Sequence, residues 1–252
     1  MNQKKFIKEY KDFLKENSNK KRAIKGKAYL YSDLKHYGVS VGKRKEFIKA
    51  YKKEIQALDK KETLNLVNAL WSDEYFEVRA MGLTVLNLHV QDITKKDMSV
   101  VEKMMRESGG WAFLDSLIIP IMPVLLEKDK SIYSYLKKWI KDDDYWVRRS
   151  ALLSQLLFFR KGEGGDRDLF FSMAKSQFDE SWIDELYEGE NRKRARFFIR
   201  KAIGWTLREM SIKNPKVVYK FIEENKNDMS GLSFREGSRR LPEKLQKKLV
   251  SV

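Results

Sequence analysis

The stretch YWVRRSALL, Tyr145–Leu153, sets an apolar residue beside an arginine inside a helix-like run. The same step returns in FEVRAMGL, Phe76–Leu83, and in FFIRKAIGW, Phe197–Trp205, as Val78-Arg79, Val147-Arg148 and Ile199-Arg200. Self-similarity of this kind points to stacked helix pairs, none of which can bury its apolar face alone. The third piece comes later than the period requires. An insertion such as RKGEGGDRD, Arg160–Asp168, accounts for the delay, its glycines marking a loop.

Working outward, helical rhythm fills most of the chain. Phe6, Tyr10, Phe13 and Leu14 form one apolar stripe, Phe47, Ala50, Tyr51 and Ile55 a second, and Val78, Met81, Leu83, Leu86 and Leu88 a third. In KNPKVVYKFIEEN, Lys213–Asn225, Asn214 is placed to cap a helix with Pro215 at its first position. Only four prolines occur, and no alternating run with turn signals suggests a sheet. The expected fold is all-α: a curved solenoid over residues 1–252, a single domain without a linker, with second helices lining a concave face.

Composition narrows the chemistry. The chain has no cysteine, which excludes disulfides and thiolate metal sites. Its two histidines, His36 and His89, lack ligand spacing, so no metal site is expected. The longest apolar run, Leu117–Leu126, is too short for a bilayer and contains Pro120 and Pro123. The N-terminal MNQKKFIKEYKDFLKEN lacks a signal peptide's apolar segment, and a soluble cytosolic protein is expected.

Lys+Arg 52 against Asp+Glu 36 gives a net charge of +16, which favours a polyanionic partner, nucleic acid before an anionic membrane. The plainer reading is an ordinary lysine-rich surface. Basic clusters at NKKRAIKGK (19–27), Arg148-Arg149, RKRARFFIRK (192–201) and FREGSRRLPEKLQKK (234–248) are expected to face one groove and hold phosphates.

One stretch carries an anomaly. In GWAFLDSLIIPIMPVLL, Gly110–Leu126, Asp115 is the sole charge in an apolar run. A buried unpaired carboxylate is costly, so it needs a partner, a proton, or a groove in which its charge is used. Trp111 and Asp115 share a helix face at i, i+4, as do Lys201 and Trp205. Arg149 lies 34 positions after Asp115, close to the period of a two-helix repeat. Packing tryptophans and a structural ion pair are the competing readings. GEGGD, Gly162–Asp166, matches neither a phosphate loop nor a dinucleotide fingerprint, and no Ser-His-Asp set is available. An enzyme here must work with carboxylate, arginine and aromatic groups.

GWAFLDSLIIP, WIKDDDYWVRRSALLSQL, RKAIGWTLREMSIKNPKVVYKFIEEN and LSFREGSRRL together resemble the AlkD-like DNA alkylation repair glycosylases, a family of HEAT-like helical repeats. The resemblance runs from about Tyr29 to Arg240. It implies hydrolysis of the N-glycosidic bond of cationic N3- or N7-alkylated purines in double-stranded DNA, by a monomer without cofactor. Asp115 matches the family's catalytic aspartate, Trp111 and Trp205 the aromatic pair beside the lesion's sugar, and Arg149 the arginine at the DNA backbone. Tyr29, in KAYLYSDLKHYG, resembles a further cleft aromatic, and Arg208 a phosphate contact. Arg148, Lys201 and Arg235 complete the expected DNA-binding set. Gly110 and Ala112 stand where the family often has a tryptophan and a second acid, and Gly42 and Lys45 replace a proline and an arginine. The alternative is a non-catalytic paralogue that binds branched or unusual DNA.

Overall fold

A computed structural model of the chain describes residues 1–250, with side-chain surroundings given to Leu249. The fold is all-α and of helical-repeat type. Among the described residues, helices and short 3-10 turns are accompanied by one isolated bridge, Lys35 with Tyr75. No described helix is long and apolar enough to cross a membrane. The chain divides into two compact units, Met1–Leu117 and Ile118–Val252.

The first unit holds α1 (Gln3–Glu16), α2 (Lys20–Leu30), α3 (Val41–Gln56), α4 (Lys60–Trp71), α5 (Phe76–Leu88), α6 (Met98–Arg106) and the start of α7 (Trp111–Lys128). Phe6, Tyr10 and Leu14 of α1 are buried, as the stripe requires, while Phe13 is half-buried. In α3 the stripe is narrower than periodicity predicts: Ile55 is buried, Phe47 and Tyr51 are half-buried, and Ala50 faces solvent. A capping box at Asp59 and Glu62 starts α4, which packs along α5. In α5 the Val78, Met81, Leu83 and Leu86 positions are buried and Leu88 is half-buried.

The second unit holds α8 (Tyr133–Trp139), α9 (Tyr145–Leu153), α10 (Leu156–Lys161), α11 (Arg167–Lys175), α12 (Ser181–Leu186), α13 (Gly189–Ser211), α14 (Pro215–Asn225), α15 (Gly231–Ser238) and α16 (Glu243–Val250). The long α13 is its axis, packed by α9, α10, α14 and α15. Pro215 takes the first turn of α14, but Asn214 makes no side-chain cap. Its Oδ1 accepts instead from Arg167 Nη1 at 3.5 Å. The glycine-rich insertion is a turn folded against Phe158 and Phe159, bridged where Gln155 bonds both Asp166 N and Asp166 O.

The arginine repeat has a shared physical cause in two of its three copies. Arg79 Nε donates to the carbonyl of Asp73 at 2.7 Å, and Arg148 Nε to that of Asp142 at 2.5 Å, six residues upstream in each case. Both aspartates also accept a backbone N–H two residues on, from Tyr75 and Asp144. Each arginine therefore clamps the turn that begins its helix. Arg200 differs, gripping Glu180 through Nε and Nη2 at 2.6 and 2.5 Å.

Candidate nucleic-acid interface

In the first unit, a basic helix is fastened by its ends. α2 carries Lys20, Lys21, Arg22, Lys25 and Lys27, yet none of its residues is buried. Ile24 and Tyr29 are 63% and 70% exposed. At its N-terminus Asn19 caps the helix, accepting from Arg22 N at 2.9 Å, and Asn19 N donates to Tyr37 O at 2.9 Å. Gly38 sits against that turn with φ +78, where an added Cβ would lie 2.2 Å from Asn19 O; only glycine fits.

The loop after α2 is held by Glu77, a buried carboxylate that helical periodicity did not single out. Its oxygens accept from the backbone N–H groups of Tyr37, Gly38 and Val39 at 3.1, 2.8 and 3.3 Å. His36 stacks on Phe76 and Tyr37 on Tyr75. Burial pushes the His36 imidazole below its ordinary pKa, with Glu77 opposing and Lys27 and Arg44 reinforcing the shift. His89 is also structural, its Nε2 2.8 Å from Ile55 O. Neither histidine belongs to a ligand cluster: no group of three His, Cys, Asp or Glu residues suited to a metal occurs among the described residues.

Tyr29, in the last turn of α2, reaches the start of α7. The Tyr29 and Trp111 rings meet edge-to-face, centroids 5.7 Å apart. Asp115 follows one turn later, half-buried, while its neighbours Leu114 and Leu117 are fully buried. Local chemistry keeps this part of the helix intact. Pro120 has no N–H to give the Ser116 carbonyl, and Asn87 Nδ2 donates there instead at 3.1 Å. Gly110 also has a cause: a Cβ at that position would lie 3.2 Å from Leu30 O, so a tryptophan there would press on the end of α2. Gly110 and Ala112 border a cavity of about 170 Å³ with Phe76, Arg79 and Glu107 on its wall, a feature the sequence did not announce.

The second unit presents two stripes on α13. Along the first half, Arg192, Arg196 and Arg200 meet the acids of α12: Arg192 and Arg196 hold Asp184, and Arg196 and Arg200 hold Glu180. The Glu180 hydrogen bond raises the Arg200 pKa despite partial burial. These arginines, expected in a phosphate-facing cluster, are occupied by carboxylates. Along the second half, Lys201, Trp205 and Arg208 are half-buried and share one face. Arg235, on α15, is exposed.

Two expected contacts lie deeper. Arg148 is 8% exposed, its guanidinium 3.5 Å from the Trp182 ring centroid and its Nη1 on Gln177 Oε1 at 3.2 Å. Desolvation lowers its pKa against the opposing pull of Asp143, Tyr187 and Asp142. A side chain so engaged is a turn clamp. Arg149 is 3% exposed and donates through Nη1 to Phe198 O at 2.8 Å.

These elements define an all-α helical-repeat protein with basic helix faces. Within that class, the chain belongs to the DNA alkylation repair enzyme family, whose signature matches residues 10–241. Among solved structures it is similar to a predicted DNA alkylation repair enzyme from Enterococcus faecalis, at 22% identity over 90% of this chain and 98% of that one, with a TM-score of 0.74. That likeness is one of fold. No curated protein gives a significant match.

Proposed function

We propose that the chain is a DNA glycosylase that hydrolyses the N-glycosidic bond of cationic N3- or N7-alkylated purines in duplex DNA. The observation that carries this reading is the start of α7, where the Asp115 carboxylate follows one turn after a Trp111 ring met edge-on by the exposed Tyr29. Membership of a DNA alkylation repair family gives that constellation its substrate class.

Alkylation at N3 or N7 leaves the purine positively charged, so it departs without a general acid. As the C1′–N bond breaks, its electron pair neutralises the purine ring and positive charge passes to the sugar. The Asp115 carboxylate stabilises that charge and orients a water molecule, whose oxygen bonds to C1′ while its proton moves to Asp115. The aromatic faces of Trp111 and Tyr29 favour a cationic sugar through their negative quadrupoles. In the second unit, Lys201, Arg208 and Arg235 are the residues that contact phosphates, and Trp205 shares a helix face with Lys201 and Arg208. Arg149, enclosed as it is, contributes through its charge more than through an open hydrogen-bonding face. Half of a glycosidase's usual carboxylate pair suffices because the lesion supplies its own leaving-group activation.

The test is incubation of purified protein with duplex DNA containing N7-methylguanine, followed by detection of free base. Base release is expected. The Asp115→Asn variant is expected to bind duplex normally while release falls by about a hundredfold or more. Undiminished release would remove Asp115 from the chemistry. Tight binding to junctions or flaps without any release would instead establish a DNA-structure-binding role.

A further inference from the structure

We infer that Glu236 is a positioning residue for duplex binding: from α15 it holds Lys201 and Arg208 together on α13, so that the two cations meet the phosphate backbone as one preorganised clamp. The inference rests on the proposed DNA-binding reading, and gives Glu236 a role that neither its charge nor its sequence position suggests.

The geometry is specific. Between Lys201 and Met210, the residues of α13 that are not buried are Lys201, Trp205 and Arg208, at i, i+4 and i+7. Glu236 closes this stripe from the side. Its Oε1 accepts from Lys201 Nζ at 2.6 Å, and its Oε2 pairs with Arg208 Nη1. The Glu236 side chain is 13% exposed, Arg208 17% and Lys201 35%, so the carboxylate is the most enclosed of the three and the lysine the most open.

Helix packing leaves Glu236 little choice of position. A Cβ on Gly204 would lie 2.5 Å from Glu236 Cβ, and one on Gly237 would lie 3.1 Å from Leu207 Cβ. The missing side chains let α15 approach α13 closely, and Ser233 Oγ fastens the crossing by donating to Arg200 O at 3.0 Å. A second carboxylate extends the arrangement. Glu209, 5% exposed, lies 3.7 Å from Arg208 Nε and also holds Arg160 at 2.9 Å and Arg240 at 3.4 Å. Two carboxylates serve four cations, so positive charge remains for a polyanion. Burial raises the Glu236 pKa, but the Lys201 hydrogen bond and the charges of Lys201, Arg208 and Arg239 outweigh it, and the carboxyl stays below its ordinary value.

Simple charge counting and positioning predict opposite signs for one substitution. Removing a carboxylate from a DNA-binding face should tighten binding if it only subtracts charge. If it positions, its loss lets two long flexible side chains repel one another and spread, and DNA must then order both. Repulsion between Glu236 and a phosphate is offset by the two cations that the carboxylate holds, whereas the ordering cost has no such offset.

The experiment measures binding of undamaged duplex DNA by the full chain as salt is varied, for wild type, Glu236→Gln, Lys201→Ala and the double variant, with melting curves for each. Because no base release is read, failure of the glycosylase chemistry leaves the test intact. Glu236→Gln is expected to bind about fivefold more weakly at physiological salt, the scale of one immobilised long side chain. Lys201→Ala is expected to weaken wild type but to add almost nothing in the Glu236→Gln background. That coupling is read between proteins sharing the same substitution, so it survives any loss of stability. Equal or tighter binding by Glu236→Gln, or an equal Lys201→Ala effect in both backgrounds, overturns the inference alone. A wild-type protein that does not bind duplex overturns the DNA-binding reading, and this inference with it.

Discussion

Two basic helices in this protein look alike in sequence and differ in what their charges do. α2 buries none of its residues, and among the described residues no ion pair involves Lys20, Lys21, Arg22, Lys25 or Lys27. α13 is the axis of its unit, and Arg192, Lys193, Arg196, Arg200, Lys201 and Arg208 each meet a carboxylate. Positive charge on α2 is open to an external anion; along the first half of α13 it is engaged by carboxylates, and farther on Lys201 and Arg208 share the one carboxylate of Glu236. A basic run therefore marks a binding surface only after its internal partners have been subtracted.

The largest expected effect separates the helices by a single apolar position. Ile203→Asp, at a 1% exposed position of α13, should cost more than about 4 kcal/mol and abolish a cooperative melt. Ile24→Asp, at a 63% exposed position of α2, should move the melting curve almost not at all. A large destabilisation by Ile24→Asp would show that α2 packs in solution, and the contrast would fail.

Neutralising charges should produce a smaller, complementary pair of effects. Arg192, Arg196 and Arg200 changed together to Ala should lower stability by about 2 kcal/mol, since their four pairs are partly exposed, with little change in the salt dependence of DNA binding. Lys20, Lys21 and Lys25 changed together to Ala should leave stability intact and weaken duplex binding about tenfold, flattening the salt slope by up to about 0.9 per lost phosphate contact. If both triple variants flatten the slope equally, the arginines of α13 are exchanging their carboxylates for DNA.

Acid should act on α13 more than on α2, and most weakly of all these effects. Glu236 has a folded pKa below its ordinary 4.5, so its unfolded form binds a proton first as pH falls. The stabilisation it supplies is fully present above 4.5 and is lost as pH drops through the lower folded value. Melting of Glu236→Gln should therefore change less than wild type between neutral pH and that acid window. Equal acid sensitivity would place the titrating group elsewhere; Asp97, also lowered and paired with Lys60 in the first unit, would then be the next variant to examine.

Much of the fold is legible in the sequence because it depends on local period. Buried Phe6, Tyr10 and Leu14 follow from spacing alone, and Pro215 does take a first helical turn. Spacing overstates Ala50, which is too small to draw its helix face inward. It also groups Arg200 with Arg79 and Arg148, although only the latter two have an aspartate carbonyl six residues upstream to clamp. The candidate site is less legible where function depends on distant acceptors. The contact of Tyr29 with Trp111 joins residues far apart in the chain, and nothing near Arg148 in sequence announces Trp182 beneath it or Gln177 beside it. Glu236 and Glu77 escaped notice for the same reason: acids in a basic chain read as dilution until their partners are known.

The attachment of α2 by its ends carries an evolutionary corollary. Because the helix adds nothing to the interior, its outward residues can drift through many sequences while the protein continues to fold. Selection on that segment then records the preferred polyanion alone, undistorted by the demands of the core.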